Sequence, residues 1–114
     1  MNINMIYIFF AKIFRTRRMK QFVSLFVPND STCILDVGGT PYNWSLISQK
    51  PKLVLLKLSA PVRRDENHTW IAADGCHLPF ASQSFDIVYS NSVIEHVSNW
   101  QNQNKFAREV RRVG

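Results

Sequence analysis

Four short clusters hold the residue types that could do chemistry in this chain: Asp36 with Gly38 and Gly39, Lys57 with Leu58 and Ser59, Asp74 with Gly75, and Ser90 with Asn91 and Ser92. The first is the most telling. In ILDVGGT (34–40) an aliphatic run ends in an acid and then turns on two glycines. Paired glycines let a backbone turn sharply or approach a ligand closely. A carboxylate at the end of a buried strand is costly unless something pairs with it. Any one cluster alone is unremarkable. Brought to one rim, the four describe a nucleoside-like ligand site.

The elements between the clusters can bring them to that rim. The patterning predicts strand one at Cys33 to Val37, a turn, and a short helix from Asn43, taken as its N-cap, to Gln49. Strand two is expected at Leu53 to Leu58, strand three at Trp70 to Ala73 and strand four at Phe85 to Ser90. The last helix is expected from about Asn99 to Val113. Short aliphatic strands separated by helices or long loops argue for a parallel sheet with crossovers, an α/β class. Ligands of such sheets bind beyond the carboxyl ends of the strands, where strand order reverses. All four clusters fall at those ends.

Composition sets bounds on the rest. A length of 114 residues allows one core, and 46% hydrophobic residues are enough to fill it. Cys33 and Cys76 form no CxxC pair and read as reduced, apolar residues of a cytoplasmic protein. Residues 1–30 read as an amphipathic helical segment and 31–114 as the ligand-binding domain. Ile6, Phe9, Phe10, Ile13 and Phe14 recur at helical spacing, as do Met19, Phe22, Val23 and Phe26, before Pro28 stops the helix. The expectation is one or two helices covering the core, with docking to an anionic membrane or RNA as the alternative, because no acid precedes Asp30. The apolar run at 5–11 is too short to span a bilayer, which takes about 20 residues. The net charge of +6 comes mostly from this helix and from Lys105, Arg108, Arg111 and Arg112. Neither RNA-reading aromatic motifs nor zinc spacings accompany these cations, so a nucleic-acid partner is not indicated.

From Ile34 to Val113 the chain resembles the class I S-adenosylmethionine-dependent methyltransferases, in their type 11 branch. The resemblance is carried by ILDVGG, AADG, the loop LPF, the segment SFDIVYSNSVIEHV and the helix FAREVRRV, in the family's order. It implies a Rossmann-like parallel sheet in the order 3-2-1-4 with flanking helices, and S-adenosylmethionine as cofactor. Gly38 and Gly39 would admit the methionine part of the cofactor, and Asp36 would hold the region of its ammonium. Asp74 would accept from the adenine amino group, with the Gly75 backbone along the ring. Lys57 and Leu58 would lie at the ribose, and Ser90 and Asn91 would line the cleft beside the methyl donor. Asp86 is read as structural, fixing the loop before strand four. No residue is assigned as a catalytic base, and the methyl acceptor is expected to be a small molecule.

The competing reading is an NADP-binding Rossmann oxidoreductase. That fold wants GxGxxG at a pyrophosphate, whereas here an aspartate precedes only two glycines. A carboxylate repels a pyrophosphate and attracts an ammonium, a difference of about 4 kcal/mol at ~4 Å and an effective dielectric near 20. Lys57 keeps the NADP reading open: the family usually has an acid there for the ribose hydroxyls, and a lysine suits a 2′-phosphate. Thr40 also departs from a glycine that is common in the family. Some relatives bind a metal through an acid followed by Glu-His; here Ser92 replaces the first acid before Glu95-His96, so no metal is expected. A cofactor-binding pseudo-enzyme is the third reading. Finally, FAREVRRVG resembles the helix that leads into strand five. A truncated domain lacking strands five to seven is therefore expected, self-associating through a bare strand-four edge.

Overall fold

The computed structural model describes residues 3–59, 68–91 and 99–114. Its centre is β1 (Cys33–Val37), whose last four residues are all buried. Aliphatic side chains on both faces suit a strand covered on both sides. On one side β1 pairs in parallel with β2 (Lys52–Lys57), and β2 pairs in parallel with β3 (Thr69–Ala72). On the other side it pairs in parallel with β4 (Ile87–Ser90). The sheet order is β3-β2-β1-β4, as expected from the sequence, and it reverses between β1 and β4. Helix α1 (Ile3–Phe26) precedes the sheet, α2 (Pro41–Ser45) links β1 to β2, and α3 (Trp100–Val113) follows β4.

The pleat of the sheet divides the core in two. Ile34 and Leu55 face Met19 and Phe22 of α1, Trp44 of α2 and Ile47. Leu35, Val37 and Leu56 face Phe106 and Val113 of α3, with Cys76 and Leu78. Asp36 is on the first face. Its register partners are Leu55 and Tyr89, so the acid falls among aromatic and aliphatic neighbours.

Three expectations are corrected. The helix after the glycine turn starts at Pro41 with Thr40 as N-cap, rather than at Asn43, and ends at Ser45. Proline at the first helical position is preorganised for the turn and lacks only an N–H that would be orphaned there. Strand four begins at Ile87, because Asp86 turns back to β1: its Oδ2 accepts from the Cys33 N–H at 2.8 Å while its own N–H donates to the Cys33 carbonyl at 2.9 Å. Asp86 is thus structural, as read. The upstream half of α1 does not cover the core: Ile6, Phe10 and Phe14 are exposed, as is Phe26. Among the described residues of α1, Met19 and Phe22 of its downstream half are the buried ones.

Helix α1 ends in a tight corner. Val27 takes a left-handed φ of 45°, and the Asn29 side chain then accepts from the Ser31 backbone N–H at 2.9 Å. The Thr32 carbonyl accepts from Lys52, opening the β1–β2 ladder. At the other end of the chain, the Asn99 side chain caps α3 by accepting from the Asn102 N–H at 2.8 Å. Arg112 of α3 donates to the carbonyls of Leu78 and Phe80, holding the loop before β4 on the sheet.

Candidate functional site at the carboxyl rim of the sheet

The parallel order places the four polar clusters on one rim. The β1 end carries Val37-Gly38-Gly39, the β2 end Lys57-Leu58, the β3 end Ala73-Asp74-Gly75, and the β4 end Ser90-Asn91. Bonds between neighbouring ends keep them together. The Gly38 N–H donates to the Leu56 carbonyl at 2.7 Å and Ala73 donates to the Lys57 carbonyl at 2.9 Å. The Ser90 hydroxyl donates to the Val37 carbonyl at 3.3 Å.

Each glycine at β1 has its own reason. Gly38 has φ 77°, the left-handed region that side chains disfavour. Gly39 lies against the Asp36 carboxylate, where an added Cβ would overlap its oxygens. Thr40, where the family often has another glycine, is in extended backbone with φ −132° and needs no glycine.

Asp36 is 1% exposed beneath this turn. Its Oδ2 accepts from the Trp44 indole N–H at 2.7 Å. Burial pushes the carboxyl up to about 6, and the indole bond and the Lys57 ammonium oppose that push. The indole ring is itself fixed edge-on by Phe22 at 5.5 Å and Tyr89 at 5.4 Å. The Lys57 ammonium lies 5.6 Å from the centre of the Trp70 ring, a cation–π contact. Leu58 is exposed.

Asp74 is in the opposite situation. Its side chain is 56% exposed, its Oδ1 accepts from the Cys76 N–H at 2.8 Å, and His77 Nδ1 is 3.6 Å from its Oδ2. The backbone bond chiefly holds this carboxyl below its ordinary value. His77, whose partner no sequence pattern indicates, has one in Asp74. Gly75 is packed against α3: an added Cβ would come within 2.9 Å of the Phe106 ring.

Glu95-His96 and Ser92 lie outside the described residues. A cavity of about 880 Å³ opens at the opposite ends of the strands, beside Cys33, Lys52 and Thr69. It does not touch the glycine turn, so the strand ends rather than this cavity define the site. Trp44, Tyr89 and Trp70 are the site residues that sequence reading missed. A usable signal existed for Trp44: a buried indole N–H needs an acceptor, and Asp36 is the nearest acid in the chain.

Comparison with known proteins agrees with this geometry. Residues 46–114 match the family described as "Methyltransferase domain". No curated protein sequence matches the chain significantly. Among solved structures, the chain is similar to a protein assigned as a methyltransferase of an antibiotic biosynthesis pathway from Anabaena variabilis. The TM-score is 0.67 at 20% identity, covering 85% of this chain and 40% of that one. It is also similar to a structure of the Haloferax volcanii Trm112 methyltransferase activator in complex with its methyltransferase, with TM-score 0.68, 16% identity and coverage of 90% and 48%. A third is the YcgJ protein from Bacillus subtilis, with TM-score 0.66, 20% identity and coverage of 85% and 45%. The chain spans less than half the length of each of these structures. With the family matched over most of its length and the sheet order that of the family's fold, the chain belongs to the class I methyltransferases.

Proposed function

We propose that this chain is the cofactor-binding half of an S-adenosylmethionine-dependent methyltransferase acting in the cytoplasm on a small-molecule acceptor. The observation that carries the reading is the buried Asp36 carboxylate directly under the Gly38-Gly39 turn, at the point where strand order reverses. A fixed negative charge there favours a ligand end that is cationic and disfavours a pyrophosphate. When bound, S-adenosylmethionine supplies a methyl group on a sulfonium; the acceptor's electron pair takes the methyl, and the sulfur keeps the pair of the broken S–C bond.

The chain's own residues bind and orient. Gly38 and Gly39 expose backbone at the methionine end, and Asp36 provides the negative field beneath it. Asp74, exposed and ionised, offers Oδ2 as an acceptor for the adenine amino group, and Gly75 follows it along the rim. Lys57 can donate to a ribose hydroxyl, and Ser90 and Asn91 border the cleft. Positioning and exclusion of water are what such a site contributes to methyl transfer. The absence of RNA-reading motifs supports a small acceptor over nucleic acid. The free edge of β4 among the described residues supports self-association of the 114-residue chain, which sedimentation at increasing concentration would register.

Calorimetry with S-adenosylhomocysteine and with NADPH tests the reading. S-adenosylhomocysteine should bind, and Asp74→Ala should weaken it by roughly 1–3 kcal/mol through lost hydrogen bonds. Because an ammonium favours ionised Asp36, binding should tighten as pH rises through about 6. NADPH bound with S-adenosylhomocysteine ignored would reverse the assignment and make Lys57 the deciding residue. Binding without methyl transfer in a longer protein would mark a pseudo-enzyme.

A further inference from the structure

Among the described residues, no side chain in the first half of α1 is buried. Met19 and Phe22 are buried against β1 and α2, while Ile3, Ile6, Phe10 and Phe14 are 83%, 40%, 51% and 58% exposed. At 3.6 residues per turn these four fall within an arc of about 80°, roughly opposite the face that carries Met19 and Phe22. The helix therefore has two apolar faces at different heights. The downstream one is covered by the protein, and the upstream one faces solvent.

Charge is arranged around that second face in one sign only. Residues 3–11 carry no charge, Lys12, Arg15, Arg17, Arg18 and Lys20 follow, and the first acid of the chain is Asp30. Lys12, Arg15, Arg17 and Lys20 are exposed. Arg15 also lies 5.5 Å from the Tyr42 ring centre, tying the basic turns to α2 and the body of the domain. No helix among the described residues is long and apolar enough to cross a membrane.

We propose that α1 docks this domain on an anionic bilayer surface, with Ile3, Ile6, Phe10 and Phe14 sunk into the headgroup–acyl boundary and the cations at 12–20 at the phosphates. An interfacial helix gains from both buried apolar area and attraction to anionic lipid. RNA would engage the cations and leave Ile3, Ile6, Phe10 and Phe14 in water, so it accounts for only half of the surface. The lipid surface accounts for both halves.

The test is co-sedimentation of the full 114-residue chain with vesicles of phosphatidylcholine alone and of phosphatidylcholine mixed with phosphatidylglycerol. Binding should be at least ~tenfold stronger to the mixed vesicles and should weaken as salt is raised. Ile6→Ser with Phe14→Ser should lower the bound fraction at least ~fivefold, since apolar burial is lost. Arg17→Glu with Lys20→Glu should remove the preference for phosphatidylglycerol. All four side chains are exposed, so circular dichroism and S-adenosylhomocysteine binding should be unchanged and act as the folding control. No sedimentation with either vesicle, equal binding to both, or binding to a homopolymeric RNA in place of vesicles would overturn the proposal.

Discussion

Asp36 and Asp74 stand at the ends of two strands of one sheet, with only β2 between them, and the protein treats their carboxyls in opposite ways. Asp36 is sealed among Leu55, Tyr89 and Trp44, and burial raises its proton affinity. Asp74 is open to water, accepts from a backbone N–H, and has its proton affinity lowered. In sequence both are acids after a short apolar run and close to a glycine. What separates them is the position of the strand: β1 is central and covered on both faces, whereas β3 is at the edge. The same side chain thus serves as a buried charge in one place and a surface acceptor in the other.

The largest expected effect tests the burial of Asp36 through pH. The unfolded chain loses this proton near 3.8 and the folded protein near 6, so between those values the folded state binds more protons and stability falls as pH rises. The difference corresponds to ~3 kcal/mol. Asp36→Asn keeps an acceptor for the Trp44 N–H and removes the titration. Urea midpoints at pH 4 and pH 7 should show the wild type losing ~2 kcal/mol more than the variant across that window. Superimposable pH profiles would mean that Asp36 is not sealed.

Removing the donor is the next test. Trp44→Phe leaves the Asp36 carboxylate buried without its indole bond and should cost ~1–3 kcal/mol at pH 7. Combined with Asp36→Asn the cost should shrink, because the charge left unpaired is gone. A double-mutant cycle showing simple additivity would break the coupling inferred from the 2.7 Å contact.

Gly38→Ala places a side chain at φ 77° and should cost ~1–2 kcal/mol by denaturation. At the other acid the expected change is the smallest. Asp74→Asn should alter stability by less than ~1 kcal/mol, since the group is exposed. Its sign with pH is reversed: the stability that Asp74 adds is present above 3.8 and is lost as pH falls through its lowered folded value. Its effect should instead be read in ligand binding, so a stability loss as large as that for Trp44→Phe would erase the contrast.

Much of this comparison was readable in the sequence, for definite reasons. β1 was read at its observed bounds because Cys33 to Val37 is a single aliphatic run closed by glycines. The spacing of four such runs gave a parallel sheet, and its order came from the resemblance to the methyltransferase family. α2 was misplaced because Asn43 resembles an N-cap, while Thr40-Pro41 held the actual start. The helix expected over α1 formed, yet apolar spacing does not say which turns are covered; Met19 and Phe22 are buried, and Phe14 is exposed. The pairing of Asp36 with Trp44 depends on how far α2 folds back over β1, a tertiary distance that no local pattern encodes.

The corner after α1 has a consequence for engineering the domain. Val27, β-branched and 73% exposed, is held at φ 45°, a conformation that costs such a residue roughly 1–3 kcal/mol. Glycine would remove that strain while adding roughly 0.5–1 kcal/mol of chain entropy to the unfolded state. The two effects oppose, and the strain is the larger. The hydrogen bonds of Asn29 with Ser31 and Thr32 do not involve the Val27 side chain, so they would still set the path into β1. Val27 is therefore an untapped reserve of thermal tolerance, outside both the glycine turn and the basic stretch of α1.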